Sequence, residues 1–381
     1  MKKIIVLILA LCLMCACFAA LAESAEKTDE ELAEEYHIAA EQGDPEAQTR
    51  LAFMYFSGKG VEQSYEKAAE YFLPAAEQGN SEAQALLGLM YYNGLGVEQS
   101  YEKAAEYYRL AADQGIQQAQ HQLGLMYYNG LGVEQSYEKA AEFFLLAADQ
   151  GYAESKYQMG VMYCYGLGVE QSYEKAAEYY RLAADQGNAK AQNNLADLYL
   201  NGLGVEKSDE KAAEYYRLAA DQGYAKGQCN VGAMYYSGYV VEQSYEKAAE
   251  YYRLAADQGY AQAQYFLGLL YYEGNGVEQS YEKAAEYYRL AADQGHASAQ
   301  NNLAMMYYYG QGVEKSYEKH IEYLRLAANQ GDRSAQYNLG YVYEYGIGVE
   351  ISIETARQYY ILAAEQGSEK AMEALNRLEG K

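Results

Sequence analysis

The chain runs to 381 residues, half of them hydrophobic, with 47 Tyr, 7 Phe, no Trp and 2 Pro. Few prolines and a wealth of Ala, Glu, Gln and Tyr suit an all-helical chain with short connections, and the apolar content is ample for burial. The formal charge of −25 argues against nucleic acid, whose phosphates need a basic footprint.

The N-terminus reads as an export signal over residues 1–22. Lys2 and Lys3 form a charged start, Ile4 to Phe18 an apolar stretch too short to span a membrane, and Ala20-Leu21-Ala22 a small-x-small cleavage site before Glu23. A retained anchor and lipid attachment at Cys17, preceded by Met14-Cys15-Ala16, are the lesser readings. The mature chain is expected in the periplasm or outside the cell, with no membrane span.

From residue 43 a strict period sets in. Gln-Gly recurs every 36 residues, at Gly43, Gly79, Gly115, Gly151, Gly187, Gly223, Gly259, Gly295, Gly331 and Gly367. Perfect register makes residues 44–367 nine copies of one unit, flanked by an N-terminal half-unit (23–43) and a polar capping helix (368–381). The acidity is spread with the period. Glu98, Glu102, Glu106 and Asp113 stand against Lys103 and Arg109, a balance of −2 in one half-unit.

Each copy predicts two helices. In the first copy Asp44 caps the first helix, Pro45 opens it, and Ala47, Leu51, Ala52 and Tyr55 form its inward stripe. Gly58 and Gly60 end it in a tight turn that buries Val61. Ser64 caps the second helix, whose inward stripe is Tyr65, Ala68, Ala69, Phe72 and Ala76. Gly79 closes it in the left-handed conformation. The carboxylates beside Lys and Arg on the second helices read as a solvated face.

Two departures carry their own expectations. Pro74, where the other copies have Leu, should kink or shorten its helix by about a turn. Gly238-Tyr239-Val240 replaces Gly-x-Gly, and a valine in a left-handed slot should force a rearranged turn.

Of the cysteines, only Cys164 and Cys229 follow the export signal. Two repeats of about 10 Å each separate them, so they read as unpaired small apolar fillers.

Ala-x-x-x-Leu-Gly-x-x-Tyr-x-x-Gly-x-Gly-Val over Ala83–Val97, then Lys103-Ala104-Ala105-x-Tyr107-Tyr108-x-x-Ala111-Ala112-x-x-Gly115, resembles the Sel-1-like repeat, a relative of the tetratricopeptide repeat. The resemblance implies a right-handed α/α superhelical solenoid and a role as an adaptor in protein complexes. One secreted branch carries a disulfide in each repeat. This chain lacks those cysteines, so that branch's activities do not carry over.

In solenoids of this kind the first helices line the concave face. Rotating away from the inward stripe leaves positions 46, 49, 53, 56 and 57 and their equivalents. They place Tyr92, Asn93, Tyr128, Asn129, Tyr157, Tyr165, Asn193, Asp197, Asn201, Tyr265, Asn301, Tyr309, Tyr337, Tyr341 and Tyr345 in a groove, with Lys190 and Lys226 adding charge. Tyrosine and asparagine together suit an extended peptide, which needs both flat apolar contact and backbone partners. Tyr55, Tyr91, Tyr127 and Tyr163 never vary and read as framework.

Catalysis, cofactor and metal find no motif. His37, His121, His296 and His320 are scattered, with His121 best placed by its groove position. The Gly-x-Gly turns follow no strand, as a phosphate cradle would require. The expectation is an exported protein-binding scaffold for a protein or peptide partner. An envelope glycan binder and an inert spacer are the alternatives.

Overall fold

The computed structural model describes residues 27–380, and all regular structure among them is helical. The export segment, with Cys17, lies outside the described residues.

Helix α1 (Asp29–Glu41) opens the order, followed by the pairs α2 (Pro45–Ser57) and α3 (Tyr65–Glu77), α4 (Ser81–Asn93) and α5 (Tyr101–Asp113), and α6 (Gln117–Asn129) and α7 (Tyr137–Asp149). Next come α8 (Ala153–Tyr165) and α9 (Tyr173–Ala184), α10 (Ala189–Asn201) and α11 (Asp209–Asp221), and α12 (Ala225–Ser237) and α13 (Tyr245–Asp257). The last pairs are α14 (Ala261–Glu273) and α15 (Tyr281–Asp293), α16 (Ala297–Tyr309) and α17 (Tyr317–Asn329), and α18 (Arg333–Tyr345) and α19 (Ile353–Glu365), with α20 (Glu369–Leu378) closing. The contacts divide the chain into two compact units. One runs to Ala191 and takes in Gly202–Glu206; the other holds Gln192–Asn201 and continues from Lys207. Within each, helix pairs pack in sequence in a solenoid-like arrangement.

The caps form as the sequence dictates. Asp44 Oδ1 accepts from the Glu46 amide at 2.9 Å, and Ser64 Oγ from the Lys67 amide at 3.2 Å. Gly79 closes α3 at φ +90°. In the turn after eight of the nine first helices, a second glycine meets demands of both space and φ. A Cβ on Gly96 would sit 2.2 Å from the Tyr65 carbonyl carbon.

Both expected irregularities are corrected. Helix α3 keeps the 13 residues of its neighbours despite Pro74, because the proline stands in the last turn and its own carbonyl still accepts from the Gln78 amide at 3.1 Å. Val240 does not rearrange its turn. It adopts φ +63°, close to the values its glycine counterparts show, so packing of the turn outweighs the local strain.

Small residues set the helix spacing. Gly88 faces the Tyr108 ring, Gly124 the Phe144 ring and Gly340 the Tyr360 ring, each closely enough that a Cβ would meet ring carbon at 2.5–2.7 Å. Each invariant tyrosine of a first helix stacks on a ring of its second helix. Tyr91 lies parallel to Tyr107 at 5.6 Å, and Tyr271 to Tyr287 at 5.7 Å.

Candidate functional site: the outward face of the first helices

Four sides of a first helix are spoken for, and what remains is the candidate site. The position three residues after the helix start is glutamine in eight repeats, buried in each. Gln84 Nε2 donates to the Ala76 carbonyl at 3.0 Å, while its Oε1 accepts from Gln114 Nε2 at 2.8 Å. Gln264 does the same with Ala256 and Gln294. The glutamine of eight Gln-Gly pairs is therefore a structural partner, bonded to a glutamine 30 residues back.

The column at position 49, expected in the groove, turns sideways instead. Thr49, Ala85, His121, Asn193 and Cys229 are buried. The reason is the neighbouring repeat, which covers that flank of the helix. His121 Nδ1 stands 2.8 Å from Ser155 Oγ on the next first helix, and burial pushes the imidazole pKa down to about 4. His121 is core. So is Asn193, 0% exposed, which accepts from Asn230 Nδ2 at 2.9 Å. Tyr157, Tyr265 and Tyr337 of the same column are half-buried against the second-helix rings of Tyr180, Tyr288 and Tyr360, and Tyr265 also lies 4.7 Å from His296. Asn301 is half-buried and accepts from Asn338.

Tyr92 and Tyr128 are half-buried too, edge-on against Tyr101 and Tyr137. Asn93, Asn129 and Asn201 end their helices. Each donates its side-chain amide to the carbonyl four residues back, at 2.9, 2.8 and 2.7 Å. Asp197 is engaged within the fold by Tyr216 Oη at 2.5 Å and Lys226 Nζ at 3.0 Å, so the pair carries little net charge outward. Lys190 is exposed.

Four large rings do face solvent from the first helices. Tyr165 is 68% exposed and Tyr309 60%; Tyr341 and Tyr345 lie 4.5 Å apart and are 40% and 50% exposed. Tyr309 and Tyr341 help to line a cavity of about 190 Å³ with Met305, Tyr308, Tyr337, Asn338 and His320. Sequence reasoning missed His320. It stands where other second helices carry alanine, its Nδ1 bonded to the Ala304 carbonyl at 2.8 Å, its pKa lowered by burial. The signal was a joint departure in one repeat: Ala304 for glycine, His320 for alanine and Leu324 for an aromatic ring.

The second-helix cations are less free than a solvated face implies. Lys103 Nζ lies 5.1 Å over the Tyr91 ring, and Lys283 5.0 Å over Tyr271. Cys164 and Cys229 form no disulfide, and burial raises the Cys229 pKa to about 12. Among the described residues, no cluster of three or more His, Cys, Asp or Glu could hold a metal ion, and no helix is long and apolar enough to cross a membrane.

The Sel1 repeat family matches nine times without a gap, from 45–80 through to 333–368. The structure is similar to that of a protective antigen present in uropathogenic Escherichia coli strains and displaying an SLR fold. Identity is 33%, the TM-score 0.56, and 91% of this chain and 90% of that one are covered. It is similar also to a Sel1 repeat protein from Oxalobacter formigenes, 32% identical with a TM-score of 0.59, over 64% of this chain and 96% of that one. No curated protein matches the chain.

Proposed function

The chain belongs to the Sel1 repeat family, and on that premise we propose that it is a non-catalytic scaffold that binds a protein partner across the outward face of its first helices. Repeats of this kind generally mediate protein–protein interaction. The observation that carries the reading here is the exposed group Tyr309, Tyr341 and Tyr345 beside the cavity at His320. A protein that packs nearly every other ring gains nothing in stability from three that face water. Tyrosine is a residue that interfaces favour, because an apolar body and a hydroxyl tip bury well together. An extended segment of the partner fits a face that repeats its chemistry every 36 residues. Half-buried rings would flank it within each unit taken separately, Tyr92, Tyr128 and Tyr157 in the first and Tyr265 and Tyr337 in the second. If the export signal read in the sequence operates, the encounter takes place in the periplasm or outside the cell.

Two baits test the reading, the chain from Glu23 and the same chain with Tyr165, Tyr309, Tyr341 and Tyr345 changed to Ala. A protein from envelope or culture-supernatant extracts held by the first and lost by the second supports it. Equal recovery by both moves the interface elsewhere, and retention of glycan alone makes the chain a sugar binder.

A further inference from the structure

Three departures from the repeat converge on one place in the second unit. Seven of the nine second helices begin on tyrosine, whereas α11 begins on Asp209. In five repeats that tyrosine packs edge-on against a ring of the first helix, as Tyr245 does on Tyr236 at 5.3 Å. In repeat five Leu200 and Asp209 occupy both places and neither ring is present. The turn of the next repeat comes to the same point. Its second glycine ordinarily lies against the first residue of the preceding second helix, Gly276 on Tyr245 and Gly312 on Tyr281. In that register the counterpart of Asp209 is Val240, held at φ +63°, and the residue before it is Tyr239. Strain of this kind persists where the surroundings impose it.

What the missing ring leaves is an open cavity of about 170 Å³, walled by Leu200, Ala233 and Met234 and flanked by Tyr216 and Tyr239. The Tyr239 hydroxyl lies beside the Asp209 carboxylate, which raises the Tyr239 pKa, yet one carboxylate oxygen stays unsatisfied. Asp209 Oδ1 is enclosed and accepts no hydrogen bond, although the side chain as a whole is 32% exposed; its ion pair is the long contact of 3.7 Å to the Lys207 ammonium, on a side chain 60% exposed. The other carboxylate nearby, Asp197, already holds Tyr216 and Lys226.

We propose that this cavity receives a lysine or arginine side chain of the protein partner, the aliphatic stem against Leu200, Ala233 and Met234 and the charged head at Asp209 Oδ1. The proposal rests on the protein-binding reading above. A buried carboxylate oxygen is costly until a donor reaches it, and a cationic donor satisfies it best. A long apolar stem with a charged tip matches a greasy cavity with one acid in its wall. Tyrosine faces add attraction for the cation, and a chain of net charge −25 draws basic partners toward it.

The full chain with isotope-labelled alanine and methionine methyls provides the test. The probes are Nα-acetyl-lysine methylamide and its arginine counterpart, with the norleucine analogue as uncharged control. The methyl resonances of Ala233 and Met234 should move with the two cations and stay in place with norleucine. Asp209→Asn should weaken the response by about tenfold. Asp209→Tyr, which restores the ring that most repeats carry and so keeps the fold, should abolish it. Methyls that ignore the cations, or that answer norleucine equally, overturn the proposal. So does an unaltered response in Asp209→Asn. Partner capture that depends on the exposed tyrosines but not on Asp209 would also overturn it and leave the wider reading standing, whereas cation-selective shifts without any captured protein would count against the wider reading instead.

Discussion

Gln114 donates its side-chain amide to Gln84 Oε1 at 2.8 Å, and Gln84 passes the chain of bonds on to the Ala76 carbonyl at 3.0 Å. One buried amide thus ties the ends of two successive second helices, α3 and α5, through the start of the first helix between them. Gln84→Leu removes both of these bonds, leaving the Ala76 carbonyl without its side-chain donor and the Gln114 amide with only its bond to the Gly79 carbonyl at 3.1 Å. The expected cost is about 1–3 kcal/mol. Stability in a repeat protein is local, so the loss should appear in amide hydrogen exchange as lowered protection over 76–114 and little change beyond the adjoining repeats.

Gly88 and Tyr108 form a matched pair. A Cβ at residue 88 would meet Tyr108 Cδ1 at 2.7 Å. Gly88→Ala should destabilise by about 1–3 kcal/mol through overpacking. The other repeats show two remedies: Ala304 is accompanied by a fully buried Leu324, whereas Ala52 and Ala196, at the same position, keep the rings of Phe72 and Tyr216. Tyr108→Leu should recover part of the loss in Gly88→Ala, and a double-mutant cycle from chemical denaturation measures the coupling.

Tyr252 hides its hydroxyl without a partner. In the next repeat the corresponding tyrosine, Tyr288, has Asn302 as hydrogen-bond partner; at that position Tyr252 meets Phe266, stacked on it at 5.1 Å. Tyr252→Phe should therefore raise stability by about 1 kcal/mol rather than lower it. A thermal melt of the variant beside the parent decides the sign.

Val240→Gly relieves a left-handed β-branched residue. A gain of about 1–2 kcal/mol is expected. Its size follows from denaturant titration, and no gain would mean that Val240 contacts offset the strain.

His121 makes part of the acid sensitivity predictable. Burial lowers its folded-state pKa from the usual 6.5 to about 4, so the unfolded chain binds this proton first. The stability this neutral imidazole contributes is complete above pH 6.5 and is lost as pH falls toward 4, by up to about 3 kcal/mol. His121→Asn, which copies Asn193 at the same repeat position, should flatten the difference between parent and variant across that window in pH-dependent melts.

The period, the caps and the left-handed glycines were legible because each rests on residues close together in the chain. The glutamine bonds were not, since their partners lie 30 residues apart and one glutamine looks like any polar surface residue. The site was half legible for a related reason. Rotation about a single helix separates core from solvent, but it does not show the flank that a neighbouring repeat covers. Thr49, His121 and Asn193 were lost to that flank, while Tyr165, Tyr309, Tyr341 and Tyr345, at or near helix ends, stayed exposed. The cavities at Asp209 and His320 were written as missing rings in single repeats, a signal visible only when the copies are compared position by position.

The most direct measurement replaces Tyr309 with a photo-crosslinking phenylalanine analogue and, in a second chain, Leu290 on the second-helix side, which is 44% exposed. Illumination in envelope and supernatant extracts should yield a discrete protein adduct from position 309 and none from position 290. An adduct from 290 with none from 309 would contradict binding by the first-helix face.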